Sequence, residues 1–273
     1  MTKGAFDLGH HYHSVPHSQI GNISIVHGSS TDPTLFDGEF IDLIVTSPPY
    51  NVGIEYDSND YEIIYSDYMD FNRRWMTNCY NWSNPHARML LNVPLDNNVG
   101  EHNSVGADFT ILAKSIGWKY HATIVWNKGN VSRRTAWGSW MSASAPCVIA
   151  PVELILILYK ESWKKEIGSR QSDISREEFM AWTNGTWVFN GESKTRVGHP
   201  APFPRTLPRR CIKLFSYVGD VVFDPFLGSG TTLMEAQDNN RVGVGVELDI
   251  GYCRLAEKRI FNSRSLLSMM DLM

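Results

Sequence analysis

The sequence lacks several features that would assign it to a class at once. It has only four cysteines in 273 residues, with no CxxC pair among them, which argues against a disulfide framework and a zinc site. No apolar run approaches the roughly 20 residues that a membrane helix needs, and the amino terminus lacks the apolar centre of a signal peptide. We therefore expect a cytoplasmic protein with reduced cysteines and no membrane partner.

The chain also lacks an excess of positive charge. Its formal net charge is −4, so the overall field does not favour a polyanion, and any contact with nucleic acid must come from local clusters. The four histidines within residues 10–17 have no cysteine or acidic partner at ligand spacing, and we predict no metal site. Two basic clusters could contact phosphate: Lys128, Arg133 and Arg134 in KGNVSRR, and Arg205, Arg209 and Arg210 in PRTLPRR.

Apolar segments of two kinds alternate along the chain, whose 42% hydrophobic content supports a sizeable core. Apolar, mostly β-branched runs predict strands within 23–32, 40–50, 87–94, 119–129, 151–160, 220–226 and 241–249. Helical spacing of apolar residues predicts helices over 66–82, 107–118, 207–216, 231–240 and 250–260. This alternation predicts an α/β fold with a mostly parallel sheet covered on both faces.

Two stretches depart from this alternation. Residues 1–22 are polar and rich in histidine, and we predict a flexible arm there. Between residues 161 and 198 the periodicity is lost while charge, tryptophan and glycine increase, as expected of an inserted recognition segment.

A glycine turn follows the strand within DVVFDPFLGSGTTLMEAQ. Gly228 and Gly230 stand between this strand and a helix, where glycine permits a tight turn and close approach of the backbone to a ligand. Glu247 lies 23 residues beyond Asp224, at the tip of the next strand, where a carboxylate can accept hydrogen bonds from both hydroxyls of a ribose. Asp224 can itself pair with a cationic group of a ligand. Taken alone, the turn is equally consistent with a purely structural β-to-α connection.

The turn does not match two widespread phosphate-binding patterns. A P-loop requires a lysine after the glycines, and this chain has Thr231 there. The nicotinamide dinucleotide pattern requires a third glycine, but Gly230 is followed by two threonines and a leucine. Neither a nucleoside triphosphate nor a nicotinamide cofactor is therefore expected.

The stretch DLIVTSPPYN, residues 42–51, is an apolar run that ends in a hydroxyl, two prolines and a tyrosine. Proline cannot donate to a strand ladder, so it is confined to strand ends and turns, and it holds the preceding residue in extended geometry. We predict a stiff loop of Ser47, Pro48, Pro49 and Tyr50 at the carboxyl end of a strand. The tripeptide SPP by itself is more often a turn than a site.

Together, DPFLGSGTT and TSPPY resemble the motifs of DNA amino-methyltransferases that use S-adenosyl-L-methionine. The catalytic motif comes first, as in the β group of this family, whose Rossmann-like sheet is circularly permuted. GHPAPFPRTLPRR, residues 198–210, is similar to the β-group segment beside the methionine end of the cofactor. The resemblance extends from about residue 23 to residue 260. It implies a methyltransferase catalytic domain over residues 23–273, with a target-recognition segment at 161–198.

The resemblance also implies roles for individual residues. Ser47 and the carbonyl of Pro48 would accept hydrogen bonds from the amino group of the target base, Pro49 would hold this geometry, and Tyr50 would stack on the flipped-out base. The residues expected at S-adenosyl-L-methionine are Asp32, Asp224, Pro225, Phe226, Gly228, Ser229, Gly230, Thr231 and Glu247. Asp32 could equally be a solvated loop residue, and Asn92 either a ligand contact or a turn former. The resemblance makes double-stranded DNA the expected partner, bound at its target base by Tyr50 and at its phosphates by Lys128, Arg133 and Arg134.

The first residue of the catalytic motif bears on the target base. Serine is typical of family members that methylate cytosine N4, and aspartate of those that methylate adenine N6. We predict cytosine N4, with adenine N6 as the alternative. Other hypotheses are a catalytically inactive DNA-binding subunit, an RNA methyltransferase and a protein glutamine methyltransferase, although the last class carries its Asn-Pro-Pro-Tyr motif after the cofactor motif. A homodimer and a separately acting cognate restriction endonuclease are further expectations.

Overall fold

The structure is a computed structural model that describes residues 11–12, 16–49, 65–96, 103–129, 138–146, 148, 151–192 and 204–270, the last seven by their backbone alone. Tyr50, Arg133 and Arg134 lie outside the described residues, as do most of the predicted arm, the end of the 161–198 segment and the beginning of the 198–210 segment.

The described residues contain strands and helices in alternation. The strands are β1 (Ser18–Ile20), β2 (Ile23–His27), β3 (Ile41–Thr46), β4 (Ser83–Pro94), β5 (Lys119–Asn127), β6 (Val152–Tyr159), β7 (Thr186–Val188), β8 (Val221–Asp224) and β9 (Val242–Glu247). The helices are α1 (Tyr65–Trp82), α2 (Val105–Ile116), α3 (Arg176–Trp182), α4 (Thr206–Phe215), α5 (Thr231–Asp238) and α6 (Ile250–Met270). All strands and helices predicted from the sequence are present.

These strands form one sheet in the order β1-β2-β9-β8-β3-β4-β6-β5-β7. From β2 to β4 the neighbours are parallel, and β7 is parallel to β5. Strand β6 runs antiparallel to both β4 and β5, and β1 runs antiparallel to β2. The predicted α/β fold with a mostly parallel sheet is confirmed. The reversal at β6 was not predicted, because an apolar run carries no sign of strand direction.

Helices cover the sheet on both faces. Within β3, Ile44 packs with side chains of α1 and α2, including Trp75 and Phe109, whereas Leu43 and Val45 pack on the opposite side with side chains of α4, α5 and α6. This alternation follows from the two-residue period of a strand. Because both faces are buried, β3 is apolar throughout its middle, and its two polar residues, Asp42 and Thr46, lie near its ends.

Both stretches without a predicted helix or strand, residues 1–22 and 161–198, contain short elements of secondary structure. Residues 18–20, at the end of the predicted arm, pair with β2 instead of lying loose, and three residues are too few to reveal a strand pattern. Within 161–192, α3 begins with a capping box of Ser175 and Glu178, and β7 extends the sheet edge and buries Trp187. This part of the segment is thus anchored to the sheet, and its role in target recognition stays a prediction.

Two further expectations concern cysteines and membranes. Cys79, Cys211 and Cys253 are buried free thiols, and Cys147 lies outside the described residues. Within the described part of the chain, no helix combines the length and apolarity needed to cross a bilayer.

Candidate active site

Residues 47–49, which follow β3, and the glycine turn, which follows β8, lie at the same end of the sheet. Strands β3 and β8 are parallel neighbours, with Leu43 opposite Val222 and Ile44 opposite Phe223. The carboxyl ends of parallel neighbours lie at the same edge, where α/β sheets bind their ligands. Ser47 after β3 and the turn after β8 are therefore adjacent, although some 180 residues separate them in sequence.

A buried hydrogen bond joins the two strands at this edge. Thr46, the last residue of β3, donates from Oγ1 to Oδ1 of Asp224, the last residue of β8, at 2.8 Å. The backbone N–H of Phe226 donates to the same oxygen at 3.1 Å, and Asp224 is only 2% exposed. Asp224 therefore fixes the start of the glycine turn against β3. Its expected pairing with a cationic group of the cofactor stays a prediction.

Burial raises the pKa of Asp224 to about 6, against hydrogen bonds from Thr232, Thr46 and the Phe226 N–H that lower it. The folded protein therefore binds this proton more tightly than the unfolded chain, whose Asp224 has an ordinary pKa of 3.8. The resulting stabilisation is fully present only below the unfolded pKa and is lost as pH rises through the folded pKa of about 6.

This pKa predicts a pH-dependent effect of Asp224→Asn, which retains the Oδ1 acceptor and cannot ionise. From about pH 4 to about pH 7, we expect the free energy of unfolding of the variant to rise by about 2 kcal/mol relative to that of the unmodified protein. Urea unfolding of both proteins at several pH values measures this difference. A difference that does not change with pH would mean that Asp224 titrates normally.

The glycine turn has a structural requirement at Gly230. Its φ of 81° is in the left-handed region, and a Cβ there would lie 2.9 Å from the Cβ of Ala256 in α6. Gly228 also has a positive φ, 50°. Ser229 and Thr231 are buried beside them. The turn thus brings backbone N–H groups close to the end of β9 without intervening side chains.

Glu247 ends β9 beside this turn. Its Oε2 accepts from the N–H of Gly228 at 2.8 Å, and its Oε1 accepts from the N–H of Asp249 at 2.9 Å. An ionised carboxylate offers about four acceptor positions, so these two bonds leave capacity for the two hydroxyls of a ribose. Burial raises the pKa of Glu247, and the backbone hydrogen bonds oppose that shift. This arrangement fits an adenosine ribose.

Two other expected cofactor residues differ in their surroundings. Phe226 is half-buried, with its ring centroid 5.1 Å from Trp75 and 5.9 Å from Phe71, and it forms a firm apolar wall next to the turn. Pro225 is buried before it. Asp32 is exposed after β2, where its Oδ1 accepts from both the N–H and the hydroxyl of Thr34. Its place at the cofactor stays a prediction.

Ser47 contacts the strand on the other side of β3. It is half-buried, and Nδ2 of Asn92, near the end of β4, donates to its Oγ at 3.5 Å. Pro48 is buried and Pro49 half-buried, as expected of a stiff loop against the sheet. From the sequence, Asn92 was either a ligand contact or a turn former. Its position near the end of an apolar strand was the one feature of the sequence that pointed to the site.

The described cation of the first basic cluster is engaged within the protein. Lys128 forms an ion pair with Glu153, which is only 9% exposed. The sequence could not reveal this pair, because the two residues lie 25 positions apart, Lys128 directly after β5 and Glu153 within the neighbouring β6. The predicted contact of Lys128 with a DNA phosphate therefore competes with an internal partner.

The second basic cluster is also engaged within the protein. Arg205 and Arg209 both pair with the fully buried Glu235. The guanidinium of Arg210 lies 4.9 Å from the ring centroid of Phe189 and 5.2 Å from that of Trp187. These ion pairs and ring contacts argue against this cluster as a phosphate site.

Comparisons with known proteins place the chain in a family. The family model for DNA methylases of the N6 and N4 methyltransferase type matches residues 41–258. The type II methyltransferase M.MjaVI of Methanocaldococcus jannaschii is 51% identical over 180 residues, which cover 66% of this chain and 92% of that protein. The type II methyltransferase M.HpaI of Haemophilus parainfluenzae is 26% identical over 230 residues, covering 81% and 68% of the two chains.

Solved structures share the fold. A candidate DNA modification methylase of Thermus thermophilus, solved with S-adenosyl-L-methionine, is 26% identical, with a TM-score of 0.69 and coverage of 88% of this chain and 93% of the other. The cytosine-N4-specific PvuII DNA methyltransferase has the same TM-score at 18% identity, covering 92% and 94% of the two chains, and supports the fold alone. With the family model matching most of its length, this chain belongs to the DNA methylase family of N6 and N4 methyltransferases.

Proposed function

We propose that this site-specific DNA methyltransferase transfers a methyl group to the exocyclic N4 of a flipped-out cytosine in double-stranded DNA. The observation that carries the proposal is Ser47 at the head of the SPPY motif, at the sheet edge shared with the glycine turn. The methyl donor is S-adenosyl-L-methionine, which supplies an activated sulfonium methyl group. Gly228 and Glu247 would hold its adenosine portion, and Phe226 would provide an apolar wall.

The protein must orient a poor nucleophile. The lone pair of the cytosine amino nitrogen is delocalised into the ring, so the nitrogen must become more tetrahedral before it can attack. Ser47 Oγ and the carbonyl oxygen of Pro48 would accept hydrogen bonds from the two amino hydrogens and direct the lone pair toward the methyl group. The nitrogen–carbon bond then forms as the carbon–sulfur bond breaks, and the nitrogen loses one proton to solvent. No covalent bond between enzyme and base is needed.

Several finer features belong to the same proposal. A circularly permuted sheet is supported by the order in the chain, since β3 and its catalytic loop precede β8 and the cofactor turn. Tyr50 would stack on the flipped base, and Arg133 and Arg134 would contact phosphates. Residues 161–198 would read the target sequence. Relatives named type II methyltransferases support a restriction-modification setting. In this setting a cognate endonuclease would act separately, and the methyltransferase itself would be a homodimer.

The test is to identify the methylated nucleoside. Purified protein is incubated with S-adenosyl-L-methionine and unmethylated bacterial DNA, and the DNA is digested to nucleosides, which mass spectrometry identifies. We expect N4-methyldeoxycytidine. Detection of N6-methyldeoxyadenosine instead would show that the target base is adenine. Absence of any product from a protein that binds the cofactor would indicate an inactive subunit. A parallel incubation with RNA of matched composition tests the RNA alternative.

A further inference from the structure

A chain of polar contacts leads away from Ser47 across three strands. Nδ2 of Asn92 in β4 lies 3.5 Å from Ser47 Oγ and 2.6 Å from Oε2 of Glu153 in β6. The other carboxylate oxygen of Glu153 pairs with Nζ of Lys128, which follows β5. We call Asn92, Glu153 and Lys128 the support chain.

The middle of the support chain is buried. Asn92 is 2% exposed and Glu153 is 9% exposed, whereas 38% of the Lys128 side chain is accessible. Burying a carboxylate is unfavourable unless it is paired and hydrogen-bonded. Lys128 and Asn92 supply the pairing and one of the hydrogen bonds. Replacing Asn92 would remove a hydrogen bond from the buried Glu153 carboxylate, and replacing Lys128 would remove its ion pair.

Glu153 determines which way the Asn92 amide faces. An ionised carboxylate only accepts hydrogen bonds, so the amide nitrogen of Asn92, and not its oxygen, must face Glu153. The same nitrogen carries a second hydrogen, which is available to Ser47 Oγ. A serine oxygen can accept two hydrogen bonds. The hydrogen bond from Asn92 thus restricts the direction from which the Ser47 oxygen can accept an amino hydrogen of the target base.

We infer that the support chain positions Ser47 for methyl transfer, so that Asn92, Glu153 and Lys128 are positioning residues for this reaction. The inference rests on the proposed function of Ser47 and extends it to residues that do not touch the base. It also assigns Lys128 to Glu153 instead of to a DNA phosphate. Moving Lys128 to a phosphate would break its ion pair with the buried Glu153, which is unfavourable.

Glu153→Gln tests the support chain with little change in volume. The glutamine can donate to the amide oxygen of Asn92, so the Asn92 amide is no longer held in one orientation. We expect kcat to fall about 10-fold, because loss of orientation at a reacting group slows the chemical step. The dissociation constants for S-adenosyl-L-methionine and DNA should stay within about two-fold, because neither is bound through Glu153.

A double-mutant cycle separates positioning from general stabilisation. Once Ser47 is replaced by alanine, the support chain has no hydroxyl to orient. Glu153→Gln should then change the residual single-turnover rate by less than about two-fold. If Glu153→Gln lowers the rate about 10-fold in both backgrounds, it acts independently of Ser47 and the inference is wrong. Asn92→Ala provides a second variant with the same expected cycle if Glu153→Gln folds poorly.

Lys128→Met distinguishes the support chain from a phosphate contact. We expect kcat to fall while the salt dependence of DNA affinity stays unchanged. A phosphate contact would instead lower DNA affinity and reduce the slope of log K against log salt by about 1, which would overturn the assignment of Lys128. Thermal melting of each variant confirms folding. A wild-type protein that makes no methylated nucleoside rejects the proposed function, whereas an active wild type with an equally active Glu153→Gln variant rejects this inference alone.

Discussion

Ser47→Ala is expected to lower kcat about 100-fold while the dissociation constant for S-adenosyl-L-methionine stays within about two-fold. The substitution removes the oxygen that would accept an amino hydrogen of the base, so the nitrogen lone pair is no longer aimed at the methyl group. It removes nothing from the glycine turn or from Glu247. Single-turnover methylation of DNA measures the rate, and titration calorimetry measures cofactor affinity.

Two results for Ser47→Ala would contradict the role proposed for Ser47. Ser47 follows β3, whereas the residues proposed to bind the ribose follow β8 and end β9. Cofactor affinity that falls as much as the rate would mean that the hydroxyl belongs to the cofactor site. An unchanged rate would leave base orientation to the Pro48 carbonyl alone.

Glu247→Gln is expected to have the opposite profile. The side chain keeps its length, but the amide has a single oxygen and cannot accept from Gly228, from Asp249 and from both ribose hydroxyls. Hydrogen bonds to a charged group contribute about 1.5–3 kcal/mol each, so we expect the dissociation constant for S-adenosyl-L-methionine to rise about 10- to 100-fold. At saturating cofactor, kcat should approach that of the unmodified protein. Calorimetry and initial rates at several cofactor concentrations measure both quantities.

Each of these variants is the control for the other, because both replace a polar side chain by one of similar size at the same end of the sheet. Equal losses of cofactor affinity in Ser47→Ala and Glu247→Gln would contradict the division of roles. A Glu247→Gln variant with unchanged affinity would indicate that the ribose is held elsewhere.

The parts of the fold that the sequence predicted are those with local signals. Strand β3 is a β-branched run bounded by loop residues, and the helix after the glycine turn has helical spacing directly after its turn. The strands β1 and β7 were missed, since each has three residues. Helix α3 was missed because none of its residues is buried, and a helix without a buried face has no apolar period to detect.

The candidate site was predictable in its motifs and not in its connections. The SPPY loop and the glycine turn were identified from residue type and order. The Thr46 contact of Asp224 and the Asn92 contact of Glu153 join residues 178 and 61 positions apart. Such pairs depend on which strands become neighbours and in what register, and a single sequence does not contain that information in any local pattern.

The pairing of β3 with β8 has a consequence for the timing of synthesis. The loop proposed to orient the base, residues 47–50, is synthesised well before the turn and the carboxylate proposed to bind the cofactor, which follow β8 and end β9. A growing chain on the ribosome therefore carries this loop without β8 and β9 beside it until residue 247 has been added. The proposed methyl-transfer site cannot be completed, and the nascent chain cannot modify the DNA around it, before Glu247 has been added.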